Sequence, residues 1–147
     1  MLFRSDNMKS REHNEKSYTE RLQKVPKALP ALLRSSKVQS KASKIGFDWE
    51  DVGGAFSKLE EEFRELKDAY EKGNQSDITE EFGDLLFSMV NISRFLDIDP
   101  EEALNGSTAK FIERFRYMEK ASVERGLDLG RMSLEEMDKL WMEAKNN

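Results

Sequence analysis

The chain contains no cysteine, which excludes disulfides, zinc-thiolate sites and thiol nucleophiles together. Its one histidine, His13, stands in a polar tail, so the paired Glu-x-x-His ligands of di-iron bundles are excluded as well. No apolar run approaches the roughly 20 residues needed to span a bilayer. Met1-Leu2-Phe3-Arg4 leads straight into polar sequence instead of a signal-peptide core. The expectation is a cytoplasmic protein with no membrane partner. Sustained alternation of β-branched and polar residues is also missing, which removes the strand signal. An excess of basic residues is lacking too: 24 Lys and Arg face 29 Asp and Glu, for a net charge of −5. This argues against a nucleic-acid polymer as the main partner, because phosphate contacts call for a basic surface.

What remains is helical. With 147 residues the chain has room for one domain around a single core. Its 37 % hydrophobic and 36 % charged content fits helices with one wet face. Residues 1–25 are charged and aperiodic and run into Pro26 and Pro30, which reads as a disordered arm or interdomain linker ahead of a domain over 26–147. Leu32, Leu33, Val38, Ala42 and Ile45 suggest a first helix closed by Gly46, followed by the aromatic connection Phe47-Asp48-Trp49. A second helix is expected from about Val52 to Lys72, where Phe56, Leu59, Phe63, Leu66 and Tyr70 recur at helical spacing before Gly73-Asn74. Ser76 or Asp77 is the expected cap of a third helix, whose apolar arc from Ile78 to Leu96 is broad enough for a central, largely buried element. Asp99-Pro100-Glu101-Glu102 opens a fourth helix, with a break expected near Asn105-Gly106. Ser133-Leu134-Glu135-Glu136 has capping-box spacing and opens a last short helix through Trp141. The fold class is all-α, a bundle of about five helices.

Two acidic clusters carry the chemistry. Glu61, Glu62 and Glu65 lie on the second helix, and Glu81 and Asp84 on the third. A Glu-rich run is ordinarily the solvated face of an amphipathic helix. Projected at about 100° per residue, however, Lys58, Glu62 and Glu65 flank the apolar stripe, with Glu61 slightly farther round. Glu81 and Asp84 border the third helix's arc, where Asp77, Ser88 and Asn91 continue the polar edge. If these helices pack together, the carboxylates converge, which is unfavourable unless a cation neutralises them. Carboxylates and water are the ligands that magnesium prefers. Gly83, between Glu81 and Asp84, costs roughly 1 kcal/mol in a helix interior relative to alanine. Either tight packing or close approach by a neighbouring helix or ligand would account for it.

The spacing Glu61-Glu62-x-x-Glu65, then Glu81-x-x-Asp84, resembles the metal-binding signature of the MazG nucleoside triphosphate pyrophosphohydrolases, within the all-α NTP pyrophosphatase superfamily. Gly46-Phe47-Asp48-Trp49, Asn91-Ile92-x-Arg94, Lys110-Phe111-x-x-Arg114-Phe115 and Glu135-x-Met137-Asp138-x-Leu140-Trp141 extend the resemblance to that family's C-terminal domain, from about residue 25 onward. The resemblance implies hydrolysis of an NTP to the monophosphate and pyrophosphate, with magnesium required and manganese a possible substitute. It also implies a homodimer with a four-helix core. By position, Glu62, Glu65, Glu81 and Asp84 match the metal ligands and Glu61 the remaining acid. Lys58, Lys110, Arg114 and Trp141 match substrate-contacting positions, with Lys145 a further candidate. Glu61 either orients or deprotonates the attacking water or serves as an outer metal ligand. Trp141 either stacks on the base or fills the core, and Phe47 and Trp49 read better as packing residues of the interhelix turn.

Broad base tolerance and a housecleaning role in the nucleotide pool follow from a site centred on phosphate. Two rivals stand beside it. One is a non-catalytic helical oligomerisation or regulatory module. The other is a base-specific pyrophosphatase for dUTP or dCTP.

Overall fold

A computed structural model of the chain describes residues 17–147. Six α-helices and one 3-10 turn account for most of the described residues, among which there is no strand. They are α1 (Tyr18–Gln23), α2 (Ala31–Lys44), α3 (Val52–Lys72), α4 (Gln75–Phe95), α5 (Pro100–Glu124) and α6 (Leu134–Lys145), with the 3-10 turn Leu129–Arg131 before α6. The described residues divide into two compact units, the first ending at Glu101 and the second covering Glu102–Asn147.

The first unit centres on the α3–α4 hairpin. Asp51 caps α3 by accepting from the N–H groups of Gly53 and Gly54, and Gly73 closes it with φ 81°, a left-handed conformation that costs glycine no side-chain clash. Only Gly73 and Asn74 separate the two helices, and Asn74 caps α4 by accepting from Asp77 N–H at 3.1 Å. So short a link turns the chain back on itself, and α3 and α4 pack against one another along their lengths. The cap of α4 is therefore Asn74, whereas Ser76 or Asp77 was expected; Asp77 supplies the N–H that the cap satisfies. Helix α2 packs on α4, where Gln39, itself buried, donates from Nε2 to the Phe87 carbonyl at 3.0 Å.

Pro30 precedes α2 and offers it no side-chain cap. The Glu101 carboxylate supplies one instead, accepting from Leu32 N–H at 2.9 Å and Leu33 N–H at 3.4 Å. An anion suits the positive end of a helix. Residues 1–16 of the expected disordered arm lie outside the described residues, and so does His13. The rest of that stretch is helical: Ser17 caps α1, and Val25 is buried.

In the second unit Met118, Ala121 and Leu140 form a small core, with Tyr117, Leu129, Met132, Met137 and Trp141 packed against it. Helix α5 is continuous through Asn105-Gly106, where a break was expected; its intrahelical hydrogen bonds outweigh the cost of one glycine. Ser133 and Glu136 make the reciprocal capping box of α6, which runs past Trp141 to Lys145. The Arg125 guanidinium and Tyr117 hydroxyl hold the Glu143 carboxyl below the usual carboxylate range, the guanidinium contributing most.

Because Glu101 is the only side chain that caps the start of α2 among the described residues, Glu101→Ala is expected to lower stability by about 1 kcal/mol. Thermal melts should show the loss, and Glu101→Gln, which keeps an acceptor, should recover part of it.

Candidate metal centre

The acidic residues of the hairpin do converge. Carboxylate oxygens from Glu62 on α3 and from Glu81 and Asp84 on α4 all lie within 4.8 Å of one another. Glu65, one turn beyond Glu62, lies outside that trio but close enough that Glu62 and Glu81 both raise its pKa. The convergence follows from the hairpin, since the flank of α3 and the edge of α4 that carry acids meet along the helix contact.

Burial makes this placement costly. Glu62 is only 5 % exposed, and its Oε2, like the Oε2 of Glu81, is buried with no hydrogen-bond partner. A buried carboxylate oxygen without a donor or a cation is strongly disfavoured. The crowding raises the affinity of Glu65 and Glu81 for protons. The Glu65 carboxyl is pushed up to about 7, first by burial and then by the Glu62 charge and the contact with Glu81. Glu81 is raised as well, chiefly by burial, with Glu62, Asp84 and Glu80 adding like charge. Two partnerless buried oxygens within an all-carboxylate donor set fit a hard divalent cation and not a soft one.

Lys58 stands at the rim. Its Nζ lies 3.0 Å from Glu62 Oε1 and 3.5 Å from Glu61 Oε2. The hydrogen bond to Glu62 is the largest of the effects that raise its own pKa. Glu61 is exposed and faces Lys58, outside the trio of converging oxygens.

The other expected substrate residues belong to the second unit. The Arg114 guanidinium sits over the Trp141 ring at 5.4 Å from its centroid, and Phe111 touches the same ring at 5.4 Å. Trp141 is half-buried against the Met118, Ala121 and Leu140 core, so its body packs as a core residue while one face carries a cation. Lys110 and Lys145 are exposed.

Several expectations about the flanks change. Ser88 is buried, and Asn91 is engaged by Arg94, so the polar edge of α4 does not continue as an open row. Arg94 was part of a motif without a role in the sequence reading. Its guanidinium grips Asp48 at 2.5 and 3.1 Å and Asn91 at 2.7 and 3.3 Å, fastening the turn after α2 to α4. No local spacing signals that pair, which spans 46 residues. Trp49 packs on Gly54, where an added Cβ would meet its ring at 2.9 Å, but Phe47 is 85 % exposed and packs on nothing that would bury it. An added Cβ at Gly83 meets nothing within 4 Å, so tight packing by the described residues does not explain that glycine.

Residues 54–118 match the family model of the MazG nucleotide pyrophosphohydrolase domain. The chain belongs to the MazG family. It is 43 % identical over 140 residues to the nucleoside triphosphate pyrophosphohydrolase/pyrophosphatase MazG of Thermotoga maritima, an alignment covering 95 % of this chain and 53 % of that protein. It is 35 % identical over 147 residues to the nucleoside triphosphate pyrophosphohydrolase of Escherichia coli K12, covering 99 % of this chain and 56 % of the relative. The Bacillus subtilis protein YabN is 47 % identical over 146 residues, covering 99 % of this chain and 30 % of YabN. The chain thus spans about half the length of the two pyrophosphohydrolases. The MazG match includes α3 and α4 almost entirely, and with them every acid of the cluster.

Magnesium or manganese added to the metal-free protein is expected to raise its melting temperature, because an ion bound only by the folded state stabilises it. In Glu62→Gln the shift should be largely lost.

Proposed function

We propose that this MazG domain hydrolyses nucleoside triphosphates to the monophosphate and pyrophosphate, using magnesium, with manganese able to substitute. The observation that carries the proposal is the convergence of Glu62, Glu81 and Asp84 with partnerless buried oxygens. The naming of the Thermotoga and Escherichia relatives as nucleoside triphosphate pyrophosphohydrolases supports the choice of substrate. The functional region is assigned to residues 26–147, acting in the cytoplasm. No described helix is long and apolar enough to cross a membrane.

Glu62, Glu65, Glu81 and Asp84 would hold the ion. Bound there, a divalent cation supplies charge neutralisation and polarisation of the phosphoryl group. Glu61, exposed and outside the converging trio, would orient the attacking water and accept its proton or serve as an outer ligand of the ion. The water oxygen bonds to the α-phosphorus, the bond to the bridging oxygen breaks, and pyrophosphate leaves with that electron pair. Lys58, Lys110 and Arg114 contribute positive charge to phosphate oxygens, with Lys145 a further such contact. Trp141 offers an aromatic face to the nucleotide. Because the gripping groups address what every NTP shares, broad base tolerance and a housecleaning role follow.

We further propose a homodimer in which the α3–α4 hairpins of two copies make a four-helix core. Phe63, Phe82 and Met89 are 52 %, 54 % and 56 % exposed, an unusual placement for apolar residues on the central helices of a domain. Leu59, Phe63, Leu85, Leu86 and Met89 line an open groove of about 690 Å³ whose rim carries Glu60 and Arg64. A two-fold axis through such a patch lets its apolar centre bury itself and sets its acidic and basic rim groups across from each other.

Pyrophosphate release from a panel of NTPs is expected with magnesium and not with chelator. In Glu81→Gln, turnover should fall by at least about 100-fold, the scale associated with losing one electrostatic group at a reacting centre. Retained activity in that variant, with its circular dichroism unchanged, would refute the catalytic assignment. Light scattering should give the mass of two 17.1 kDa chains at micromolar concentration. Leu86→Glu should shift it to one.

A further inference from the structure

We propose that Lys58 is the resident counter-cation of the acidic cluster: its ammonium holds Glu62 until a divalent ion neutralises that carboxylate, and is thereby released to a phosphate oxygen of the nucleotide. The inference rests on the reading of the cluster as a divalent-metal site, and gives one residue of that site two anionic partners in succession.

The geometry carries it. Among the described residues, the ion pair to the buried Glu62 comes from Lys58, at 3.0 Å. The contact uses Oε1, while Oε2 has no partner, so the ammonium satisfies one side of a carboxylate whose other side is empty of donors. Helix stabilisation is a poor account of the pair, since lysine four residues before glutamate is the weaker of the two orders along a helix. Neutralising a carboxylate forced into a crowded, buried position is the better one. Lys58 is also built to let go. Its side chain is 39 % exposed, and Glu61, half exposed at 3.5 Å, offers the ammonium a second, wetter partner. An ammonium is a compact charge with three donors on a flexible stem, and can reorient without breaking packing.

Competition at Glu62 follows from charge. A divalent ion interacts with a given carboxylate twice as strongly as an ammonium at the same distance. It also answers the partnerless oxygens of Glu62 and Glu81, which Lys58 leaves unanswered. Lys58 then retains Glu61 alone, and a triphosphate arriving beside it presents a stronger anion. Binding of ion and nucleotide becomes cooperative, since each favours the position of Lys58 that suits the other.

Magnesium titrated calorimetrically into the full metal-free chain, without nucleotide, tests this. Lys58→Met is expected to bind magnesium about ten-fold more tightly than the wild type, because a competing positive charge is gone. Lys58→Arg, which keeps the charge, should stay near wild type. Without metal, Lys58→Met should melt below the wild type and recover when magnesium is added. Wild-type binding with an unchanged or weaker affinity in Lys58→Met would overturn the counter-cation role and leave the metal site standing. Absence of any magnesium or manganese binding in the wild type would instead overturn the metal-site reading, and this role with it. Should Lys58→Met not fold, Lys58→Gln takes its place; failure of both, without rescue by magnesium, would make Lys58 a fold residue and also overturn the proposal.

Discussion

Carboxylates repel one another, and the α3–α4 hairpin nevertheless holds three of them within 4.8 Å. The packing of two 21-residue helices supplies the force that does so, because apolar contacts along the hairpin do not weaken when acids at its edge are pressed together. The unfavourable electrostatics are stored as raised pKa values on Glu65 and Glu81 and as carboxylate oxygens without partners. Strained titratable groups gathered on one rigid element are what a site for charge chemistry looks like. A cation relieves all of these at once, whereas a neutral hydrogen-bond donor would answer the oxygens and leave the mutual repulsion.

The remainder of the first unit serves that hairpin. Asp51, Gly73 and Asn74 fix where each helix begins and ends, which sets the register at which Glu62 faces Glu81. One residue of slip would rotate the acids by about 100° and separate them. Helix α2 braces α4 through Gln39, and Arg94 ties Asp48 to the same helix, so α4 is held from outside the hairpin as well as within it. Such bracing is what a set of carboxylates needs if they are to keep their spacing against mutual repulsion.

The apolar surface of the hairpin tells a related story about size. A chain this charged has few large apolar residues to spend, yet Phe63, Phe82, Leu86 and Met89 are left half exposed on its two central helices. The third helix of the sequence reading, expected to be largely buried, is so on only part of its circumference, with Ser88, Val90, Ile92 and Ser93 inside. The breadth of an apolar arc counts the faces a helix wants covered, and the described residues cover only some of them. The open space around Gly83 belongs to the same picture: nothing described within the chain uses the room that the missing side chain leaves.

Local sequence was enough to determine the helices after α1, most of their caps and the two acidic rows, because helical periodicity, capping chemistry and the spacing of Glu61, Glu62, Glu65, Glu81 and Asp84 are all written within a few residues of where they act; α1 lay in a stretch expected to be disordered. Even there, the choice of Asn74 over Asp77 as cap, and the continuity of α5 through Gly106, depended on competition between neighbouring hydrogen bonds. Tertiary structure alone decided that Glu101 would cap a helix 68 residues away, that Arg94 would reach Asp48, and that Glu62 would be buried against Glu81 and Asp84. Those are contacts between groups with several possible partners, and only the packed arrangement of helices selects one.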